Sequence, residues 1–156
     1  MKIAVCSDEL YPVNEFVVNE LKRLGHEVVL FGALNSGNNE LWIDVAKEAA
    51  ESIQQRICDE GIFFCWTGTG ISIVANKVPG IRAALCTDAP TARGARVWNR
   101  ANVLALSNRL LTQDLAKEIL NAWFEPVDDG EGDSVIDKIK DIEQVYSFIL
   151  NNPHGL

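Results

Sequence analysis

Five short runs constrain this 156-residue chain most: KIAVC (2–6), EVVLFG (27–32), GIFFC (61–65), RAALC (82–86) and NVLAL (102–106). After its first residue, each is apolar at nearly every position rather than at every second one. A strand with one face in water alternates, so strands apolar on both faces require cover on both. That is the condition of a parallel sheet held between two layers of helices.

Between the runs the period changes to that of a helix. After Pro12, the residues Phe16, Val17, Leu21 and Leu24 share one face, and Gly25 supplies a stop. From Trp42 to Ile57, Val45, Ala46, Ala49, Ile53 and Ile57 form a second stripe. A loop and short helix (67–77), the helix APTARGARVWN and a helix from Thr112 to Phe124 complete the alternation. Strands each followed by a helix predict an open, doubly wound α/β fold.

The composition breaks once, at EPVDDGEGD (125–133), which divides an α/β domain of residues 1–126 from an extension of residues 127–156. The extension carries an amphipathic helix from Ser134 to Leu150, with Ile136, Ile139, Ile142, Val145, Tyr146 and Ile149 on one face. That face covers its own domain or packs on a second subunit, and a dimer is the preferred reading.

A formal charge of −8 disfavours nucleic acid and an anionic membrane surface as partners, because both repel an acidic chain. No apolar run approaches the ~18 residues of a membrane span, and MKIAVCSDEL does not read as a signal peptide. Cys6, Cys58, Cys65 and Cys86 lack CxxC spacing. Free thiols in a reducing cytoplasm fit them better than a disulfide framework or a zinc site.

In an open α/β sheet ligands collect beyond the carboxyl ends of the strands. That rule selects Asp8 and Glu9, Cys65 to Gly70, Asp88, and Ser107 to Arg109. Gly68 and Gly70 let backbone approach a ligand, and a helix beginning near Ile71 aims N–H groups back at the loop. The same glycines also suit a plain strand-to-helix turn. Cys65 reads either as a base or nucleophile, or as a buried core thiol. His26 lies at a helix-to-strand turn and His154 in the C-terminal tail, so neither is expected to form a Cys–His pair at this loop. Asp8 reads as a helix cap from spacing alone, or as a ligand contact. Trp42, Trp66 and Trp98 read as core, with Trp66 equally placed to wall a sugar site. Arg93, Arg96 and Arg100 form a solvated helix face or a local anion site.

Taken together, MKIAVCSDE, GIFFCWTGTGISIVANKVPGIRAALCTD, TAR, WNRANVLALSNRLLTQDLAKEILNAW and IDKI resemble the type B ribose-5-phosphate isomerases and galactose-6-phosphate isomerase subunits. The resemblance runs through most of residues 1–125 and is densest from Gly61 to Asp88. It implies a Rossmann-like three-layer α/β/α sandwich with a five-stranded parallel sheet and a C-terminal helix extension. It implies a homodimer, or a tetramer, with each active site at a subunit interface. It implies aldose–ketose isomerisation through an enediolate, without metal or organic cofactor, on a sugar or sugar phosphate. Cys65 falls on the proton-transferring cysteine and Thr67 on its assisting hydroxyl. Gly68, Thr69 and Gly70 fall on the anion-stabilising loop, Asn99 on a polar group that holds the enediolate, Asp8 on a sugar-hydroxyl contact, and Arg109 on a phosphate contact.

The chain departs from that family's pattern at four places. Glu9 and Trp98 stand where members carry histidines, the second of which opens the furanose ring. Trp66 stands where they carry glycine and narrows the pocket. Glu131, Gly132, Asp133 and Ser134 stand where they carry a basic segment that grips phosphate, and acidic residues there repel a dianion. The expectation is retained proton transfer with altered specificity, toward a substrate that is open-chain, non-phosphorylated or held elsewhere, with Trp66 and Trp98 shaping the pocket. A sugar-binding homologue without catalysis is the alternative.

Overall fold

The computed structural model describes residues 1–127 and 133–151. Glu131 and Gly132, read above as replacing a basic segment, lie outside the described residues, as does His154. The strands are β1 (Lys2–Ser7), β2 (Glu27–Gly32), β3 (Glu60–Cys65), β4 (Ala83–Leu85) and β5 (Val103–Ser107). All pair in parallel, in the order β2-β1-β3-β5-β4. The helices are α1 (Pro12–Arg23), α2 (Ala33–Ser36), α3 (Trp42–Gln54), α4 (Thr69–Ala75), α5 (Ala89–Asn99), α6 (Gln113–Phe124) and α7 (Asp133–Asn151).

The doubly apolar strands do what their composition requires. Ile3, Val5, Ile62, Phe64, Leu104 and Leu106 pack with α1, α5 and α6 on one face. Ala4, Cys6, Phe63, Cys65, Val103 and Ala105 pack with α3 and α4 on the other. The result is the three-layer α/β/α sandwich read from the sequence. Small side chains dominate the second face: Ala46, Ala49 and Ala50 of α3 lie against Ala4 and Ala105, all fully buried.

Two element ends differ from expectation. The helix expected to reach Ile57 ends at Gln54, because Arg56 turns left-handed (φ 60°) and the N–H groups of Ile57 and Cys58 both bond Ser52 O, at 2.8 and 3.0 Å. Ile57 is left exposed. The strand expected over 82–86 is regular over Ala83–Leu85, and its flanks still bond β5: Arg82 O accepts from Val103 N at 3.3 Å and Cys86 N donates to Ala105 O at 3.1 Å.

Two of the arginines expected on a solvated face of α5, Arg93 and Arg96, are paired within the chain. Arg96 Nη2 pairs with Glu60 Oε1 at 2.7 Å, and its guanidinium stands 4.9 Å from the ring centroid of Trp123. Trp123 Nε1 donates to Glu60 Oε2 at 3.0 Å. Burial pushes the Glu60 carboxyl above its usual range, while Arg96 and Trp123 pull it back. Arg93 donates to Glu125 O and Pro126 O and pairs with Glu125. Of the tryptophans, Trp42 and Trp98 are not the core residues they were expected to be, and the exposure of Trp66 leaves its alternative role as a wall open. Trp123 is the fully buried one, whereas Trp42, Trp66 and Trp98 are all exposed.

On α7, Ile136 is buried, and the Glu143 carboxylate accepts from Gly80 N at 3.0 and 3.1 Å. Ile139 is half-buried, and Ile142, Val145 and Tyr146 are 57%, 56% and 63% exposed, so among the described residues the C-terminal part of the stripe is largely uncovered.

Candidate active site

Sheet order places the site. From β1 the chain crosses to β2 on one side and then returns to β3 on the other, so the carboxyl ends of β1 and β3 flank a topological switch point. Ser7 pairs with Phe64, which sets Asp8 one step beyond β1 at the level of Cys65. Cys65 pairs with Ser107. The ladder continues past the strand ends: Asn108 N bonds Cys65 O at 3.0 Å, Arg109 N bonds Trp66 O at 3.1 Å, and Ser107 Oγ bonds the same Trp66 carbonyl at 2.9 Å. Cys65 and Trp66 are thereby held by main-chain contacts rather than left on a free loop.

The turn that follows is built on Gly68. Its φ is +76°, and a Cβ there would meet Leu85 Cδ1 at 2.5 Å and the Leu106 carbonyl carbon at 3.0 Å. Only glycine fits this backbone without strain. The geometry aims the Gly68 N–H at Cys65 Sγ, 3.2 Å away. Cys65 is 6% exposed, so its thiol sits at the floor of the site. The hydroxyls of Thr67 and Thr69 share a hydrogen bond of 2.6 Å. Helix α4 starts at Thr69, two residues earlier than expected, and its Gly70 lies under the indole of Trp42, 3.1 Å from where a Cβ would stand.

One wall is aromatic and acidic. Trp66, 53% exposed, faces Tyr11 with ring centroids 6.0 Å apart. Tyr11 Oη donates to Glu9 Oε2 at 2.7 Å, and this bond to a carboxylate raises the phenol's pKa. Beneath lies a buried polar chain: Asn14 Nδ2 donates to Asn108 Oδ1 at 2.8 Å, and Asn108 Nδ2 donates to Ser7 Oγ at 3.2 Å. Sequence reasoning missed Tyr11, Asn14 and Ser7. A polar Asn14 on the inward stripe of α1 was the available signal.

Asp8 does not cap α1. Tyr11 is the residue at that cap, its N–H bonded to Asn14 Oδ1 at 2.9 Å. Asp8 O accepts from Glu40 N at 2.9 Å, while its side-chain Oδ1 is buried and makes no hydrogen bond. Burial, and then the charge of Glu9, push the Asp8 carboxyl above the usual carboxylate range. Asp88 is the cap that Asp8 is not: its Oδ1 accepts from Thr91 N at 2.7 Å at the start of α5.

Asp8, Glu9, Cys65, Trp66, Thr67, Gly68, Thr69, Gly70 and Arg109 therefore gather at the carboxyl rim. Trp98 and Asn99 do not. Helix α5 leaves the carboxyl end of β4 and runs back to the start of β5, carrying both to the opposite rim. There Trp98 is 75% exposed and lies over Gly94. Within a single chain Trp66 and Trp98 thus stand at opposite rims. A cavity of about 610 Å³ also opens at that far rim, lined by Arg82, Arg96, Arg100 and Trp123 among others, and it includes no residue of the Cys65 loop.

His26 packs its ring on Phe124 at 4.4 Å, and burial lowers its pKa. Among the described residues, no cluster of three or more His, Cys, Asp or Glu side chains is placed to hold a metal ion. All four cysteines are free, and burial pushes the Cys86 thiol up to about 12. Among the described residues, no helix is long and apolar enough to cross a membrane.

Residues 3–142 match the profile of a family described as Ribose/Galactose Isomerase. A D-erythrulose-4-phosphate isomerase of Pectobacterium atrosepticum is 38% identical over 133 residues, covering 85% of this chain and 88% of its own length. A ribose-5-phosphate isomerase B of Escherichia coli is 34% identical over 145 residues, covering 92% and 97%. Among solved structures, ribose-5-phosphate isomerase B of Clostridium thermocellum superposes with a TM-score of 0.85 at 40% identity, covering 94% of this chain and 99% of its own.

Proposed function

The chain belongs to the ribose/galactose isomerase family of sugar-phosphate isomerases, and on that footing we propose that it interconverts an open-chain, four-carbon aldose phosphate and its ketose, with Cys65 as the proton-transferring base. The observation that carries the chemistry is the Gly68 N–H held 3.2 Å from Cys65 Sγ in a turn that admits no other residue. Aldose–ketose isomerisation moves a proton between C1 and C2 through an enediolate. It needs a base over those carbons and fixed donors where the negative charge develops. In this reading Cys65 Sγ takes the C2 proton and returns it to C1. The backbone of Trp66 to Gly70 faces the oxyanion, and Thr67 supplies a hydroxyl beside it. Arg109, one residue beyond Asn108 on the β5 loop, meets the phosphate.

The open-chain preference rests on what the site lacks. A furanose needs an acid to open its ring. Among the described residues, no histidine stands at the carboxyl rim, the Glu9 carboxylate is tied to Tyr11, and Trp98 lies on the far rim. An aldotetrose with phosphate on O4 has no free 4-hydroxyl to close a five-membered ring, so it presents its carbonyl directly. The similar Pectobacterium protein carries a four-carbon sugar phosphate in its name. Trp66, bulky at the mouth, favours the shorter chain. Trp98 and Asn99 reach such a site only from a second copy, which makes a homodimer with shared sites part of this proposal.

The test is turnover of D-erythrose 4-phosphate and D-ribose 5-phosphate by the wild type and Cys65→Ser, with products identified by NMR. The expected result is conversion of the tetrose phosphate, with the higher kcat/KM of the two, reduced about 10²- to 10⁴-fold in Cys65→Ser. Full activity in Cys65→Ser would overturn the mechanism, and a preference for ribose 5-phosphate would overturn the open-chain argument. Binding of both sugars without turnover would mark a non-catalytic sugar-binding protein.

A further inference from the structure

Moving hydrogen from C2 to C1 is half of an aldose–ketose isomerisation. The proton on O2 must also leave and one must arrive on O1. A group that can both give and take a proton does this most simply if it lies beside both oxygens. The side chains able to do so at this site can be taken in turn. Thr67 Oγ1 is committed to Thr69 Oγ1 at 2.6 Å. One oxygen of Glu9 is held by Tyr11 Oη at 2.7 Å, and its side chain is exposed rather than set at the floor. Tyr11 Oη is the donor in that same bond. Among the described residues the rim has no histidine.

Asp8 alone answers the requirement. It stands one residue past the Ser7–Phe64 pair, level with Cys65, so its carboxyl approaches from the strand next to the one carrying the thiol. Its Oδ1 is buried and has no hydrogen-bond partner among the described residues, although N–H groups of Asp8 and Glu9 act on the carboxyl; nearby, Ser7 donates to Glu9 O, Asn108 donates to Ser7 Oγ and Asn14 donates to Asn108. A buried carboxyl oxygen without a partner costs free energy unless a ligand completes it.

We propose that Asp8 is a further catalytic residue, the relay that moves the proton between O2 and O1 of the sugar while Cys65 moves the one between C2 and C1. The inference rests on the isomerase reading given above. The protonated carboxyl gives its proton to O1 as the C1 carbonyl becomes a hydroxyl, and the resulting carboxylate takes the O2 proton as the C2 carbonyl forms. Asp8 ends protonated, as it began, and no further reactant is needed. Burial, then the Glu9 charge, raise the Asp8 carboxyl above its usual range, while the N–H groups of Asp8 and Glu9 pull it back. The charged or titratable groups acting on Asp8 or felt by it are Cys6, Glu9 and Tyr11 from its own segment; Glu40, on the loop whose N–H binds Asp8 O, is turned to Ser36 Oγ.

The role predicts an uncoupling that a mere hydroxyl contact does not. Wild type, Asp8→Asn and Asp8→Glu would be assayed in D2O with D-erythrose 4-phosphate and with D-ribose 5-phosphate, following by NMR both ketose formation and deuterium entry at C2 of the recovered aldose. Without the relay, Cys65 still exchanges the C2 hydrogen but the enediolate returns to aldose. Asp8→Asn is therefore expected to lower kcat for ketose at least 100-fold, to change KM little, and to raise the ratio of C2 exchange to conversion at least tenfold. Asp8→Glu is expected to restore part of the conversion. Exchange and conversion falling together, or a rise in KM with kcat intact, would overturn the relay while leaving the isomerase reading standing. Wild type that neither exchanges nor converts either sugar would overturn both.

Discussion

Replacing Gly68 by alanine tests whether the turn after β3 is shaped by necessity or by habit. Two costs add there. A left-handed conformation in a residue with a Cβ costs roughly 1–2 kcal/mol. The new methyl would stand 2.5 Å from Leu85 Cδ1, which can swing aside, but also 3.0 and 3.1 Å from the carbonyl carbon and oxygen of Leu106, which are main chain in the buried strand β5. Overpacking against groups that cannot yield adds about 1–3 kcal/mol. Gly68→Ala should therefore lose about 2–5 kcal/mol, the sum of those two ranges. Gly80 is an internal control: its φ is +82°, and nothing lies within 4 Å of its would-be Cβ. Gly80→Ala should show the conformational cost alone. Urea unfolding of both variants at one protein concentration measures the difference. Turnover of Gly68→Ala, corrected for the folded fraction, should fall further than stability explains, because the N–H aimed at Cys65 Sγ must move. Equal destabilisation at the two glycines would refute the packing argument, and full turnover per folded molecule would refute the link to Cys65.

Burial raises the Glu60 carboxyl above its unfolded value of about 4.3. Its contribution to stability is thus fully present below that pH and is lost as pH rises through the folded value. The stability advantage of wild type over Glu60→Gln should shrink from pH 4 to pH 7 in urea unfolding, and a growing advantage would reverse the sign. Trp66→Gly opens the mouth beside Tyr11 and should raise kcat/KM for ribose 5-phosphate relative to erythrose 4-phosphate by at least about tenfold, roughly 1.4 kcal/mol of discrimination; an unchanged ratio would clear Trp66 of a part in specificity. A chain ending at Pro126 lacks the exposed Ile142, Val145 and Tyr146 face and should elute as a monomer of native circular dichroism. A persistent dimer would place the interface elsewhere.

Much of the fold was legible because its signals are local. Strands apolar on both faces and intervening helical periods carry their own geometry, and the helix at APTARGARVWN runs over Ala89–Asn99 as read. Errors arose where a neighbour decided the outcome. The end of α3 depends on a left-handed Arg56, for which the sequence gives no glycine cue, and Asp8 was read as a cap because spacing shows a carboxylate before a helix but not what lies beside it. The arginines of α5 have the spacing of a solvated face, and only the packed structure sets Arg96 against Glu60 and Trp123.

The sequence by itself determined the layered α/β architecture, the chain order of its elements, and a strand-to-helix turn built of glycines with a thiol at its entrance. Those are properties of neighbouring residues, set by side-chain periodicity and by which backbone conformations each residue allows. Tertiary structure alone decided which distant segments meet. Strand β1 lies beside β3 although 52 residues separate Ser7 from Glu60, and that pairing sets Asp8 at the level of Cys65. The return of α5 from the end of β4 to the start of β5 likewise carries Trp98 and Asn99 to the rim that Cys65 does not share. Parallel ladders join residues far apart along the chain, and their register comes from packing of the whole core, which no short stretch of sequence contains.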